Sequence, residues 1–224
     1  MIGLLSDSHG DLDALDAGHA LLSARGARRF FFLGGRFTDV GDWLLRRRTR
    51  ERGGRAYTDR DFLSDVTAWL STSEQTERPG AFEEEAASSA NDDAIELRSR
   101  FSITPERGSL QYLDPTVPTK LMDMLGQSLC CVVHNKNDLT RDDLANATLF
   151  LHGAAREPAV VQIGPRYFVT PGALAGAAEQ TCGLIDVTDG APRFTGLRLD
   201  GSVLVPPTSL VPERRLPGVK LTVK

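Results

Sequence analysis

Apolar residues follow two regimes along this chain. Residues 1–6 form a short continuous apolar run that reads as a buried strand. Leu12, Leu15 and Leu22 then recur at helical spacing, with Asp11 placed to cap the first turn and Gly26 to stop the last. Arg29 to Leu33, with Phe30-Phe31-Phe32 inside it, reads as a second buried strand ended by Gly34-Gly35. Strand, helix, strand within about 35 residues favours parallel pairing, which needs a crossover of that kind. From residue 129 the pattern becomes β-rich. Residues 129–133, 149–151, 160–163, 167–170, 183–187 and 194–199 are short runs separated by Gly, Pro and Asp. Asp200-Gly201 is a hairpin signal before residues 203–205.

Between these regimes the pattern weakens. Arg46-Arg47-Arg48, Arg50, Arg52 and Arg55 form a basic run. Phe62, Leu63, Val66, Trp69 and Leu70 have the spacing of an amphipathic helix. Residues 71–89 are polar and acidic, with Pro79-Gly80 and Glu83-Glu84-Glu85, and read as a solvated loop. Residues 95–101 read as a short helix. Leu121, Met124 and Leu125, after Pro115 and Pro118, read as another that stops at Gly126. Residues 206–224 read as a tail with one late strand at Val219-Lys220-Leu221-Thr222-Val223.

Composition narrows the class. With 224 residues, 41% hydrophobic and 25% charged, the chain fits one soluble domain, 1–224. No run approaches the ~18 apolar residues of a membrane span. The first residues lack a basic region and a cleavage site, so a cytoplasmic protein is expected. A net charge of −4 argues against broad nucleic-acid binding. Cys130, Cys131 and Cys182 are odd in number and lack metal spacing, which suits reduced core thiols.

The candidate chemistry begins at Asp7-Ser8-His9-Gly10, directly after the first strand. Parallel sheets place ligands where their strands give way to loops. Strand alternation would put Asp7 and His9 on one side, and a carboxylate with an imidazole suits Mn, Fe or Zn. The alternative is an Asx-type turn beside a helix-facing histidine. Ser8 beside His9 invites a nucleophile reading, but nothing in the sequence supplies an oriented base. His19, Trp43 and Trp69 read as packing residues. The arginine run reads as a solvated helix end, or as a site for phosphate, RNA or an acidic partner.

Ile2-Gly3-Leu4-Leu5-Ser6-Asp7-Ser8-His9-Gly10-Asp11 closely resembles the start of calcineurin-like metallophosphoesterases, nearest their small bacterial phosphodiesterase branch. The corresponding later segments are Phe32-Leu33-Gly34-Gly35, Val133-His134-Asn135-Lys136-Asn137-Asp138, Leu151-His152-Gly153-Ala154-Ala155-Arg156 and Thr170-Pro171-Gly172-Ala173. The resemblance covers residues 1–43 and roughly 127–205, leaving about 44–126 as an insertion. It implies a four-layer α/β/β/α sandwich. It also implies that the metal-ligand set is incomplete. The family's bridging aspartate falls on Gly35, its asparagine ligand on Lys136 when Asp138 takes the motif's last position, and its paired histidines on Ala154 and Arg156. Asp7 and His9 survive, and His152 stands for a further ligand. Asp39, Asp42 and Asp138 are the candidates to replace the missing acids.

Two cations ~3.5–4 Å apart need a shared carboxylate against their repulsion, and glycine supplies none. Lys136 and Arg156 would add positive charge where a cation should sit, and the Lys136 ammonium is expected to fill the vacated place and pair with Asp7. No cofactor is therefore expected, the alternative being one weakly held Mn, Zn or Fe ion at Asp7, His9 and His152. The favoured function is a catalytically inactive or impaired phosphoesterase-like protein that contacts protein partners through residues 44–126, as the metallophosphoesterase-like retromer component acts in its assembly. The alternatives are a divergent metal-dependent phosphodiesterase and a binder of phosphorylated small ligands that uses Lys136 and Arg156.

Overall fold

The computed structural model describes residues 1–35, 38–51 and 97–211. Strand β1 (Ile2–Leu5), helix α1 (Leu12–Ala24) and strand β2 (Arg29–Phe32) form the parallel unit that the sequence predicts. Asp11 caps α1 by accepting from the Ala14 N–H at 2.9 Å. After α2 (Asp39–Glu51), strand β3 (Phe101–Ile103) adds to β2 in parallel. On the other side of β1 run β9 (Thr181–Asp186), β10 (Arg193–Arg198) and β11 (Val203–Ser209), all antiparallel. The first sheet therefore has the order β11-β10-β9-β1-β2-β3.

The second sheet is built from β4 (Lys120–Leu125), β5 (Ser128–Val133), β6 (Leu149–His152), β7 (Pro158–Ile163) and β8 (Arg166–Pro171). Its order is β4-β5-β6-β8-β7, with β5, β6 and β8 parallel and β4 and β7 as antiparallel edges. The described elements also include two short helices, α3 (Leu110–Leu113) and α4 (Arg141–Asn146). Strands β3 and β4 both lie inside the stretch read as inserted, yet each completes a sheet edge.

Strand alternation sorts the apolar side chains into layers. Ile2, Leu4 and Phe31 point between the sheets and meet Val132, Leu149, Leu151 and Val169. Leu5, Phe30 and Phe32 point the other way, against Leu15 and Leu22 of α1 and Trp43 of α2. On the far face of the second sheet, Phe150 stacks on Phe168 at 4.9 Å beside Leu144 of α4. The result is the expected α/β/β/α sandwich. Among the described residues no helix is long and apolar enough to cross a membrane. The three cysteines are buried and free, and burial pushes the Cys131 and Cys182 thiols up to about 11 and 12.

Two helix assignments are corrected. Residues 120–125 form strand β4, because Leu121 and Leu125 face the inner core while Met122 and Met124 face outward along the β5 hairpin. The i, i+3, i+4 spacing of Leu121, Met124 and Leu125 is helical, and pairing with β5 overrides it. Phe101 belongs to a strand, and among the described residues of the expected helix, 97–99 are helical. The helix around Phe62 and Trp69, the acidic stretch 71–89 and the late C-terminal strand lie outside the described residues.

The described part of the arginine run is engaged within the molecule. Arg46 pairs with Asp13 at 2.7 Å, Arg50 reaches Asp13 and Asp16 at 3.6 and 3.9 Å, and Arg47 lies over the Trp43 ring. His19 is buried beneath it, with ring centroids 4.7 Å from Phe30 and 4.8 Å from Trp43. Burial, helped by Arg47 and Arg100, lowers its pKa from 6.5 to about 4. Above pH 6.5 the ring is neutral in both folded and unfolded chains. Below that the unfolded chain binds the proton first, so stability falls until the pH passes the folded value. The expected loss between pH 7 and pH 5 is about 2 kcal/mol. Urea unfolding at the two pH values measures it, and His19→Leu should remove this share of the pH dependence.

Candidate functional site

The loops that follow β1, β2, β5, β6 and β8 converge at one end of the sandwich, where parallel strands place their functional groups. Asp7, just past β1, is 5% exposed. Its Oδ2 accepts from the Ser6 hydroxyl at 2.7 Å and from the Ala154 N–H at 3.0 Å. Its Oδ1 lies 3.3 Å from His134 Nε2, and 4.0 Å from Nε2 of the half-exposed His9. The Arg107 N–H donates to His134 Nδ1 at 3.1 Å. The neutral ring therefore carries its proton on Nε2, aimed at Asp7.

The backbone here is strained. Asp7, His9 and Ala154 have φ of 52°, 45° and 51°, and they are the only non-glycine residues with positive φ among those described. Each such conformation costs about 1 kcal/mol, so the surroundings must impose it. The Asp7 N–H donates to Gly34 O at 2.7 Å, and Asp7 O accepts from Ala175 N–H at 3.0 Å. Two glycines allow the closeness. A Cβ on Gly34 would collide with the His134 ring at its Cδ2, and one on Gly153 would collide with the Leu33 carbonyl and the Ser6 hydroxyl.

The other candidate residues are placed as follows. His152 is buried, with Nδ1 donating to Gly153 O at 2.9 Å. Burial, aided by Lys136, pushes its pKa below the ordinary histidine value despite that hydrogen bond. Lys136 is exposed and does not pair with Asp7, contrary to expectation. The short 3-10 turn Lys136–Asp138, opened by Asn135 accepting from Asn137 N–H, carries it outward, and His134 takes the place beside Asp7. Asp138 is directed to Arg107 Nε at 3.4 Å, and its Oδ2 is buried without a hydrogen-bond partner. Asp39 is also buried. It accepts from Ser8 Oγ at 2.5 Å and Gly10 N–H at 2.8 Å, which places both Ser8 and Asp39 in a structural bond. Asp42 is exposed on α2. Arg156 lines a cleft of about 360 Å³ together with Asp7, His9, Glu106 and His134.

Scans of family models and of curated proteins return no match. Solved structures do match. The chain is similar to YfcE, a phosphoesterase from E. coli, at 17% identity and TM-score 0.51, covering 91% of this chain and 96% of that one. It is also similar to Vacuolar Protein Sorting 29 from Cryptosporidium parvum, at 11% identity and TM-score 0.52, covering 94% and 97%. Vps29 from Chaetomium thermophilum matches at 13% identity and TM-score 0.51, covering 93% and 95%. The chain has the calcineurin-like metallophosphoesterase fold.

A metallophosphoesterase fold implies a pair of metal ions, and the residues present do not offer that donor set. Gly35 brings no bridging carboxylate, and Asp39 is committed to Ser8 and Gly10. Asp7 already accepts from three donors of the protein itself. Among the described residues no group of three His, Cys, Asp or Glu side chains is arranged to hold an ion. Within this metallophosphoesterase frame, sequence reasoning missed the roles of Ser6, Arg107 and above all His134. One signal was available: His134 follows a buried strand in the same way that Asp7 follows β1.

Proposed function

We propose that this chain is a catalytically inactive, or strongly impaired, metallophosphoesterase-fold protein that works through contacts with a protein partner. One observation carries the reading: Asp7, the carboxylate best placed to hold a cation, is bonded to Ser6, Ala154 and His134 instead. A metal at Oδ1 would have to displace a buried imidazole, and among the described residues no group of three donor side chains is arranged to share the charge. The expected result in a chromogenic phosphodiester assay with added manganese is the same background rate for wild type and Asp7→Asn. A wild-type rate that Asp7→Asn abolishes would reverse the proposal.

The contact surface we assign is helix α3. Beyond Glu106 and Arg107 the chain enters α3, where Leu110 and Leu113 are 81% and 70% exposed. Their i, i+3 spacing puts both on one face, the arrangement by which helical anchors enter a partner's groove. The double variant Leu110→Asp/Leu113→Asp should keep the wild-type melting temperature, because neither side chain is packed, and should lose the partner recovered by affinity capture with wild type. Equal recovery by the two proteins would remove α3 from the interface.

A second reading, a binder of phosphorylated small ligands, draws on Arg156 and His9 in the cleft wall. Asp7 and Glu106 share that wall and oppose a dianion. Calorimetry with inorganic phosphate separates the readings: heat that Arg156→Ala abolishes would favour the second.

A further inference from the structure

We infer that His134 is a built-in substitute for a metal cation, its Nε2–H filling the position in front of Asp7 so that a divalent ion can enter only when the imidazole is gone. The inference rests on the non-catalytic reading above and names the residue that enforces it.

Three independent features set the ring in place. Gly34 has no side chain, and any Cβ there would clash with the His134 ring at its Cδ2. The Arg107 N–H donates to Nδ1 at 3.1 Å, which forces the proton onto Nε2. Asp7 Oδ1 receives that proton at 3.3 Å, and both side chains are only 8% exposed. In this tautomer His134 has no lone pair to give a metal at Asp7, because its lone pair faces Arg107. Turning the ring into a ligand would set an N–H on Nδ1 against the Arg107 N–H, donor against donor.

The groups around the ring form a latent donor set. His9 Nε2 is 4.0 Å from the same Asp7 oxygen and is half exposed, so it can adjust. His152 gives its Nδ1 proton to Gly153 O, which leaves the Nε2 lone pair available. As the side chains stand, these three groups are not arranged to hold an ion; without the His134 imidazole, Asp7 Oδ1 would be freed beside the adjustable His9, a carboxylate–imidazole pair of the kind that suits zinc, iron or manganese.

The test uses the full chain. A two-bond proton–nitrogen correlation spectrum reports the His134 tautomer before and after one equivalent of zinc, and calorimetry gives zinc affinity for wild type, His134→Ala and His134→Gln. The expected results are an Nε2–H tautomer that zinc leaves unchanged, and a His134→Ala variant that binds one zinc at least about tenfold more tightly than wild type. His134→Gln, whose amide N–H can reach the same oxygen, should stay at the wild-type affinity. An Nδ1–H tautomer, His134 resonances that move with one equivalent of zinc, or equal affinities for wild type and His134→Ala would overturn the inference. If His134→Ala does not fold, the spectrum of the wild type decides alone. Phosphodiester turnover by wild type would defeat the non-catalytic reading, whereas the tautomer judges His134 separately.

Discussion

Asp7→Ala should destabilise the protein by about 3 kcal/mol or more, a large share of a typical domain's stability. The substitution leaves the Ala154 N–H and His134 Nε2–H without an acceptor, and the Ser6 hydroxyl with only the Leu33 carbonyl at 3.2 Å. A buried unsatisfied donor costs about 1–3 kcal/mol, and these groups share one small volume, so their penalties will not add in full. Alanine is also a worse occupant than aspartate of a left-handed position at φ 52°. The sign is what makes this informative. In a working active site, charged side chains are held against their own stability, and removing one is often neutral or stabilising. Here the carboxylate is the acceptor around which the loops after β1, β5 and β6 assemble. Urea unfolding of wild type, Asp7→Ala and Asp7→Asn measures this. Asp7→Asn should recover much of the loss, since its amide oxygen can still accept from Ser6 and Ala154. A more stable Asp7→Ala would mean that Asp7 is held against strain, as a catalytic group is.

Gly153→Ala should cost a similar amount, about 3 kcal/mol, by overpacking. Its Cβ would meet the Leu33 carbonyl of one sheet's loop and the Ser6 hydroxyl that bonds Asp7. The carbonyl belongs to backbone fixed by β1–β2 pairing, and its neighbour, the Leu33 N–H, donates to Leu5 O at 2.8 Å. The sheets must therefore separate locally, and the Asp7 network must open with them. Gly41, inside α2, has nothing within 4 Å of where a Cβ would lie. Gly41→Ala is expected to stabilise by up to about 1 kcal/mol through helix propensity. Denaturant melts of the two variants should move in opposite directions. A neutral Gly153→Ala would show that the gap between the sheets yields more easily than the close approach implies.

The same particulars explain what could be read from sequence. The β1–α1–β2 unit was legible because its apolar runs are unbroken and Asp11 and Gly26 mark the helix ends. Strand β4 was not, since Leu121, Met124 and Leu125 have helical spacing and the pairing with β5, which overrides it, joins residues that the local pattern does not connect. Strand β3 has three residues, too few to carry a period. In the site, Asp7 and His9 were visible from their position after a strand, and they do meet, through left-handed turns rather than strand alternation. His134 was quoted only as part of a motif. Its bond to Asp7 spans 127 positions, and no local pattern reports such a contact. Lys136 looked like the substitute cation because alignment by motif cannot see that a 3-10 turn carries it into solvent. The arginine run looked free because Asp13 and Asp16, which answer it, lie on a different helix.

Metal analysis of the full chain purified without chelator tests the central claim most directly. A self-satisfied Asp7 predicts no tightly held pair of ions. Two transition-metal ions per chain, retained through dialysis and lost together with Asp7→Asn, would contradict it.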